Sequence, residues 1–289
     1  MGILNVTPDS FYDGGRYFTV RRAVAHAERM QAHGADLIDI GGESTRPGAE
    51  PVSAEDEMRR VLPVIEKLHD RLHIPLCVDT THASVAQRAL EAGVSIVNDI
   101  SAGTRDVQMF TTVARYGAGM VLMHCRGNPQ TMQRAPRYRN VIAEIDAYLT
   151  RQVAQAVAAG IERNRLVIDP GIGFGKTARH NLILLSRLNA FCNIGLPILV
   201  GPSCKSFIGK ILSALGPAPV AGKRDQMAWS GRIDGTSSAL AIAIFKGARI
   251  VRVHDVATAV SVVRVADAIL KEKISRIDPK NLSVPIPVE

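Results

Sequence analysis

The chain has 289 residues, 46% hydrophobic, 4% aromatic and 21% charged, with 35 Lys and Arg against 27 Asp and Glu for a formal net charge of +8. This length suits one large α/β domain or two small ones, and the balance excludes collagen-like, disordered and coiled-coil classes. There is neither a membrane-length apolar run nor a basic-then-apolar opening, so a span and a signal peptide are not expected. The positive excess suits an anionic ligand, but the few aromatic residues give no base-stacking platform for nucleic acid. Cys77, Cys125, Cys192 and Cys204 form no CxxC pair, which predicts reduced thiols in a cytoplasmic protein.

Strand-like runs occur at Ile3–Asn5, Asp36–Ile40, Pro75–Asp79, Ser95–Asp99, Met120–His124, Leu166–Asp169, Pro197–Gly201 and Arg249–His254. Between them lie amphipathic segments such as Val20–His33, Ala54–Leu72, His82–Ala92, Val141–Ala159 and Val256–Lys271. Several close on glycine (Gly34, Gly93, Gly160, Gly247), where a left-handed helix cap is expected. Parallel strands need a crossover helix, so eight strand-then-helix units predict a parallel sheet. Eight is also the number that closes a (β/α)8 TIM barrel. No linker divides the chain, so residues 1–289 read as a single domain, with the barrel at 1–275 and a C-terminal tail at 276–289. Asn5–Arg16, Gly41–Pro51 and Gly216–Asp234 read as loops.

In such a barrel the working face is the C-terminal end of the strands. The strand ends are polar: Asn5, Asp39, Asp79, Asn98 with Asp99, His124, Asp169, Ser203 with Lys205, and Arg252 with His254. Any one of these can simply cap the next helix. One carboxylate or amide per strand exceeds what capping requires. Asp79, Asn98 and Asp169 suit a flat heterocycle with amidine-like N–H donors, since a carboxylate accepts two parallel bonds. Arg46, Arg252 and His254 suit a phosphate or diphosphate, and Lys205 suits either a phosphate or the face of a planar ring.

The run Asp169-Pro-Gly-Ile-Gly-Phe-Gly-Lys176 superficially resembles a phosphate loop but falls one residue short of GxxxxGK[ST]. Its glycines are expected to let backbone approach a ligand, with Phe174 as an apolar wall. His124-Cys125 and His254-Asp255 lack zinc-ligand spacing, and neither HExxH nor GxSxG occurs. Cys204 stands beside Lys205, but a lone cysteine does not support covalent catalysis.

These residues also carry a family likeness. Gly2-Ile-Leu-Asn-Val-Thr-Pro-Asp-Ser-Phe11 with Asp13-Gly-Gly15, and Gly41-Gly-Glu-Ser-Thr-Arg-Pro-Gly48, resemble the two long signatures of the dihydropteroate synthases. Val78-Asp-Thr80, Asn98-Asp-Ile100, Met123-His124 with Gly127-Asn-Pro129, Asp169-Pro-Gly171 and Arg252-Val-His-Asp255 follow in that family's order. The resemblance implies a Mg2+-dependent, homodimeric barrel transferase of folate synthesis. It would join 4-aminobenzoate to 6-hydroxymethyl-7,8-dihydropterin diphosphate. Carried over, Asp79, Asn98, Met123, Asp169, Phe174 and Lys205 would hold the pterin. Asn5, Thr45, Arg46, Arg252 and His254 would hold the diphosphate, with Asn5 at the metal. Thr45, Pro47, Phe174, Ser203, Lys205 and Ser206 would border the aminobenzoate. Phe11, Asp13 and Thr45–Pro47 would close over the site, and Asn5, Asp13, Arg46, Lys205, Arg252 and His254 would act in catalysis.

Three departures from the family pattern stand out. Ser203-Cys-Lys-Ser206 replaces Ser-Arg-Lys-Ser, which removes a cation near the aminobenzoate side and bears on sulfonamide binding. Thr81-His82 replaces Ser-Lys, a helix-start change expected to be of little consequence. The sequence opens at the first strand, where relatives carry a preceding segment, so either the native start lies upstream or the barrel floor is more exposed. Two rivals are carried forward: a methyltetrahydrofolate-type methyltransferase barrel, and a pterin-binding paralogue whose second substrate is altered or lost through Cys204.

Overall fold

The computed structural model describes residues 1–7, 20–44, 48–215 and 224–271. Phe11, Asp13, Thr45, Arg46, Pro47 and the 276–289 tail lie outside them. The strands are β1 (Gly2–Asn5), β2 (Ile38–Gly41), β3 (Leu76–Asp79), β4 (Ile96–Asp99), β5 (Gly119–Met123), β6 (Leu166–Asp169), β7 (Ile198–Val200) and β8 (Ala248–Val251). All neighbouring pairs are parallel and in sequence order. Val253 closes the ring onto the first strand. Its carbonyl accepts from Ile3 N–H at 2.9 Å and its N–H donates to the Met1 carbonyl at 3.0 Å.

The expected helices form as α1 (Val20–Ala32), α2 (Ala54–His69), α3 (Ala83–Glu91), α5 (Val141–Ala158) and α9 (Val256–Lys271). The four glycines before the next strand all have positive φ, between 94° and 105°. The units are completed by α4 (Met109–Arg115), α6 (Ala178–Ser186), α7 (Ser206–Leu215) and α8 (Arg224–Phe245). The loop expected at Gly216–Asp234 is therefore helical from Arg224 onward. Gly, Ser and Asp disguise that helix, because they are weak helix formers. They are tolerated because packing supplies the stability: Thr236, Ala239, Leu240 and Ala243 are buried. Gly235 also lets α7 approach so closely that a Cβ there would lie 2.4 Å from Ile208 Cγ2. Among the described residues no helix is long and apolar enough to cross a membrane.

Side chains alternate across each strand, which divides the sheet into two environments. Leu4, Ile38, Ile40, Val78, Leu122, Ile168 and Val200 face the helices in the main core. The inward residues stack in layers, as alternate strands of a closed barrel require. Met1, Cys77, Val121 and Leu199 form a buried layer, with Leu37, Ile96, Val167 and Ile250 partly buried against it. The even strands contribute Leu37, Ile96, Val167 and Ile250 as a floor that is not fully covered. Two residues further along the same strands the inward positions become Asp39, Asn98, Asp169 and Arg252. The barrel interior thus changes from apolar to polar within one layer.

The layering predicts unequal costs for cutting back aliphatic side chains. Leu199→Ala, in the sealed layer, is expected to cost about 3 kcal/mol of unfolding free energy, and Ile250→Ala, in the floor, less than half of that. Urea unfolding of both variants checks the order.

Candidate functional site

Arg252 organises the polar layer. Its Nε donates to Asp39 Oδ2 at 2.5 Å and its Nη2 to Asp79 Oδ2 at 2.6 Å. Asn98 Nδ2 donates to the same Asp39 oxygen at 3.1 Å. Three strand ends are thereby tied to the eighth. Asp39 and Asp79 are both buried, and Asp39 Oδ1 has no hydrogen-bond partner. Burial would lower the Arg252 guanidinium, but Asp39 and Asp79 outweigh it and hold its pKa above the ordinary value. Burial also raises the Asp79 carboxyl well above the usual range despite Arg252, with Asp39 adding to the rise. Two carboxyls share one cation, so the layer retains acceptor capacity for outside N–H donors.

Asp169 is buried beside them and accepts from Gly171 N–H at 2.6 Å. Burial pushes its pKa up to about 6. Lys205 Nζ stands 4.0 Å from the centroid of the Phe174 ring, the cation-over-ring arrangement of an ammonium on an aromatic face. Burial and then Arg252 lower Lys205 to about 8. His254 Nδ1 lies 3.0 Å from Ser203 Oγ, which also accepts from His254 N–H at 3.3 Å.

A cavity of about 1120 Å³ opens over this layer, and its wall includes Asn5, Phe174, Ser203, Lys205, Arg252 and His254. Ser206, the first residue of α7, is also in the wall. Asp79, Asn98, Asp169 and Met123 are not; they are buried within the barrel. Arg252, in the wall and bonded to Asp79, joins the two regions. Met123 packs with Ile100, Met132 and Phe174 in a small apolar cluster. The described residues of the expected set thus divide between the cavity wall and buried strand ends. Asp99 is not part of this constellation, since its carboxylate is taken up by the Ser101 and Gly103 N–H groups and the Ser101 hydroxyl.

Three features differ from the sequence reading. Two glycines of the 169–176 loop, Gly171 and Gly175, admit neighbouring backbone, whereas Gly173 lines the cavity against the Lys205 side chain. All three have positive φ, and a Cβ at Gly171 would meet the His124 carbonyl at 2.0 Å, one at Gly175 the Arg126 carbonyl at 2.4 Å. Lys176, seen in the sequence only as part of a failed phosphate-loop match, is buried. It donates to His124 Nδ1 at 3.0 Å, the His124 carbonyl at 3.2 Å and the Phe174 carbonyl at 2.8 Å. Burial brings Lys176 down to about 7, and burial with Lys176 nearby brings His124 down to about 2. His124 is thus a neutral acceptor in a brace between loops. Third, His82 is consequential: its Nδ1 pairs at 2.8 Å with the fully buried Glu57, which also accepts from Thr80 Oγ1 at 3.0 Å. That pairing crosses 25 residues, so no local signal announces it.

Residues 1–254 match the family of pterin binding enzymes. A dihydropteroate synthase of Synechocystis sp. is 46% identical over 269 residues, covering 93% of this chain and 89% of that protein. This chain belongs to the dihydropteroate synthase family. Solved members of the family have the same architecture. The Yersinia pestis dihydropteroate synthase, in a sulfonamide drug complex, superposes with a TM-score of 0.86 at 41% identity, covering 94% of each chain. The Xanthomonas albilineans dihydropteroate synthase with 4-aminobenzoic acid gives 0.82 at 43% identity, covering 93% and 92%.

The raised pKa of Asp169 makes its ionised form oppose folding. The penalty is absent below the ordinary carboxylate range, grows between pH 4 and 6, and is complete above about pH 6. Asp169→Asn keeps the Oδ1 acceptor for Gly171. It is expected to stabilise the ligand-free chain by up to about 3 kcal/mol near pH 8 and by little near pH 4. Urea midpoints at the two pH values check this, and equal shifts would contradict it.

Proposed function

We propose that this chain condenses 6-hydroxymethyl-7,8-dihydropterin diphosphate with 4-aminobenzoate, giving 7,8-dihydropteroate and pyrophosphate. The observation that carries the reading is Arg252, which links the buried hydrogen-bonding set to the cation-lined cavity. A substrate with a flat N–H-rich heterocycle at one end and a diphosphate at the other matches that division. Asp79, Asn98 and Asp169 accept and offer hydrogen bonds to the pterin edge, while Met123, Phe174 and Lys205 border its faces. Asn5, Arg252 and His254 hold the diphosphate, and Thr45 and Arg46 join them by family pattern. The Phe174–Lys205 pair with Ser203, Ser206, Thr45 and Pro47 borders the aminobenzoate.

In the reaction the carbon–oxygen bond of the methylene breaks and the diphosphate leaves with its electron pair. The aryl amine nitrogen bonds that carbon and loses one proton. The amine is neutral and nucleophilic near pH 7, so no strong base is required. Departure of the diphosphate is the demanding step, and Arg252, Lys205 and Arg46 favour it by stabilising negative charge as it develops. By family pattern, Phe11, Asp13 and Thr45–Pro47 would exclude water that would otherwise capture the carbon.

Among the described residues no three His, Cys, Asp or Glu side chains are grouped to hold a metal ion. Asn5 offers a neutral oxygen donor in the cavity wall, of the hard type that suits Mg2+, and would hold the ion there. When bound, Mg2+ supplies charge neutralisation to the leaving group. A cytoplasmic location agrees with four free cysteines. A homodimer is supported by Leu212, Ile242, Phe245, Val265, Ile269 and Leu270, large apolar residues left exposed on α7, α8 and α9.

Pyrophosphate release is expected to require both 4-aminobenzoate and Mg2+. Pterin binding without release would instead favour a paralogue with a changed second substrate. The methyltransferase reading predicts methyl transfer with no pyrophosphate. Arg46→Ala is expected to lower turnover by about 100-fold or more while calorimetry still detects pterin binding.

A further inference from the structure

Six Lys and Arg side chains border the cavity: Arg29, Lys176, Lys205, Lys210, Arg232 and Arg252. Arg252 is bonded to Asp39 and Asp79, and Lys205 lies over Phe174. Arg232, on α8, differs. Its Nε is buried with no hydrogen-bond partner, and no described carboxylate pairs with it. Its guanidinium is pressed against Gly209 of α7, where a Cβ would lie 2.9 Å from Nε and 3.2 Å from Nη2. Gly209 is three residues past Ser206, so the guanidinium sits beside the first turn of α7, at the cavity wall. Any side chain at position 209 would displace it.

The backbone of Arg232 is tied to Cys204. Cys204 N–H donates to Thr236 Oγ1 at 3.1 Å, and that hydroxyl donates to the Arg232 carbonyl at 2.7 Å. Cys204 stands where the family pattern has arginine, so the loop has lost a cation at a place where α8 presents one. A buried N–H without an acceptor costs free energy that an anion would remove, and a guanidinium fork matches a carboxylate in two parallel bonds.

We propose that Arg232 is the residue that selects an acidic second substrate, binding the aryl carboxylate in place of the arginine missing at position 204. This rests on 4-aminobenzoate being that substrate. Arg232 touches the part of the substrate remote from the reacting amine, so it acts on affinity rather than on bond breaking.

The test compares wild type, Arg232→Met and Arg232→Gln in pyrophosphate release with 4-aminobenzoate and with uncharged 4-aminobenzamide. Both variants are expected to raise KM for the acid about tenfold or more and to leave KM for the amide within about twofold, with kcat little changed. Cys204→Arg added to Arg232→Met is expected to recover most of the loss. Thermal midpoints and pterin affinity show whether each variant is folded. Acid and amide KM values that rise together, or that both stay put, overturn the proposal. Wild type that releases no pyrophosphate with 4-aminobenzoate overturns the reaction itself. Calorimetric binding of 4-aminobenzoate to pterin-loaded protein then decides the role of Arg232, and equal affinity in wild type and Arg232→Met overturns it.

Discussion

One guanidinium between two buried carboxylates sets the terms for the rest of the site. Arg252 reaches Asp39 and Asp79 because closure of the last strand onto the first lets its side chain extend across the barrel interior to the ends of β2 and β3. A buried charge is tolerated only with a well-placed counter-charge. The position of Arg252 is therefore fixed by the barrel, and the barrel mouth is held together by Arg252. Removing either partner would strand the other in a medium that solvates it poorly.

That constraint explains why the interior divides as it does. The lower inward positions are Leu37, Ile96, Val167 and Ile250, which pack without polar demands. Asp39, Asn98, Asp169 and Arg252 lie two residues further on, and their hydrogen bonds replace packing as the cohesive interaction. Burial keeps Asp79 and Asp169 above their ordinary pKa values, a standing cost that an N–H-rich ligand would relieve. Raised carboxyl pKa values in residues joined to a cavity through Arg252 suit a ligand-binding site.

Around the layer, loops are braced by contacts that cross long stretches of sequence. Lys176 satisfies three acceptors and ties the end of β5 to the loop that carries Phe174. Positive φ at Gly171, Gly173 and Gly175 lets that loop lie on the neighbouring backbone and on the Lys205 stem. Phe174 is thereby held beneath the Lys205 ammonium. Glu57 plays the same part behind the second and third strands, through Thr80 and His82.

The eight strand-then-helix units, the glycine caps and the polar strand ends are legible along the chain, because alternation, helical period and capping are local properties. The two signature runs also made the family legible. Folding in three dimensions is what pairs Asp39 with Arg252, buries Lys176 against His124 and sets His82 on Glu57. Those pairings join residues 213, 52 and 25 positions apart. Folding also makes the 224–234 stretch helical, since weak intrinsic propensity there is overridden by burial of Thr236, Ala239, Leu240 and Ala243. Local pattern fixes what each segment can form. Which buried charge meets which counter-charge depends on barrel closure, and no window of sequence contains that closure.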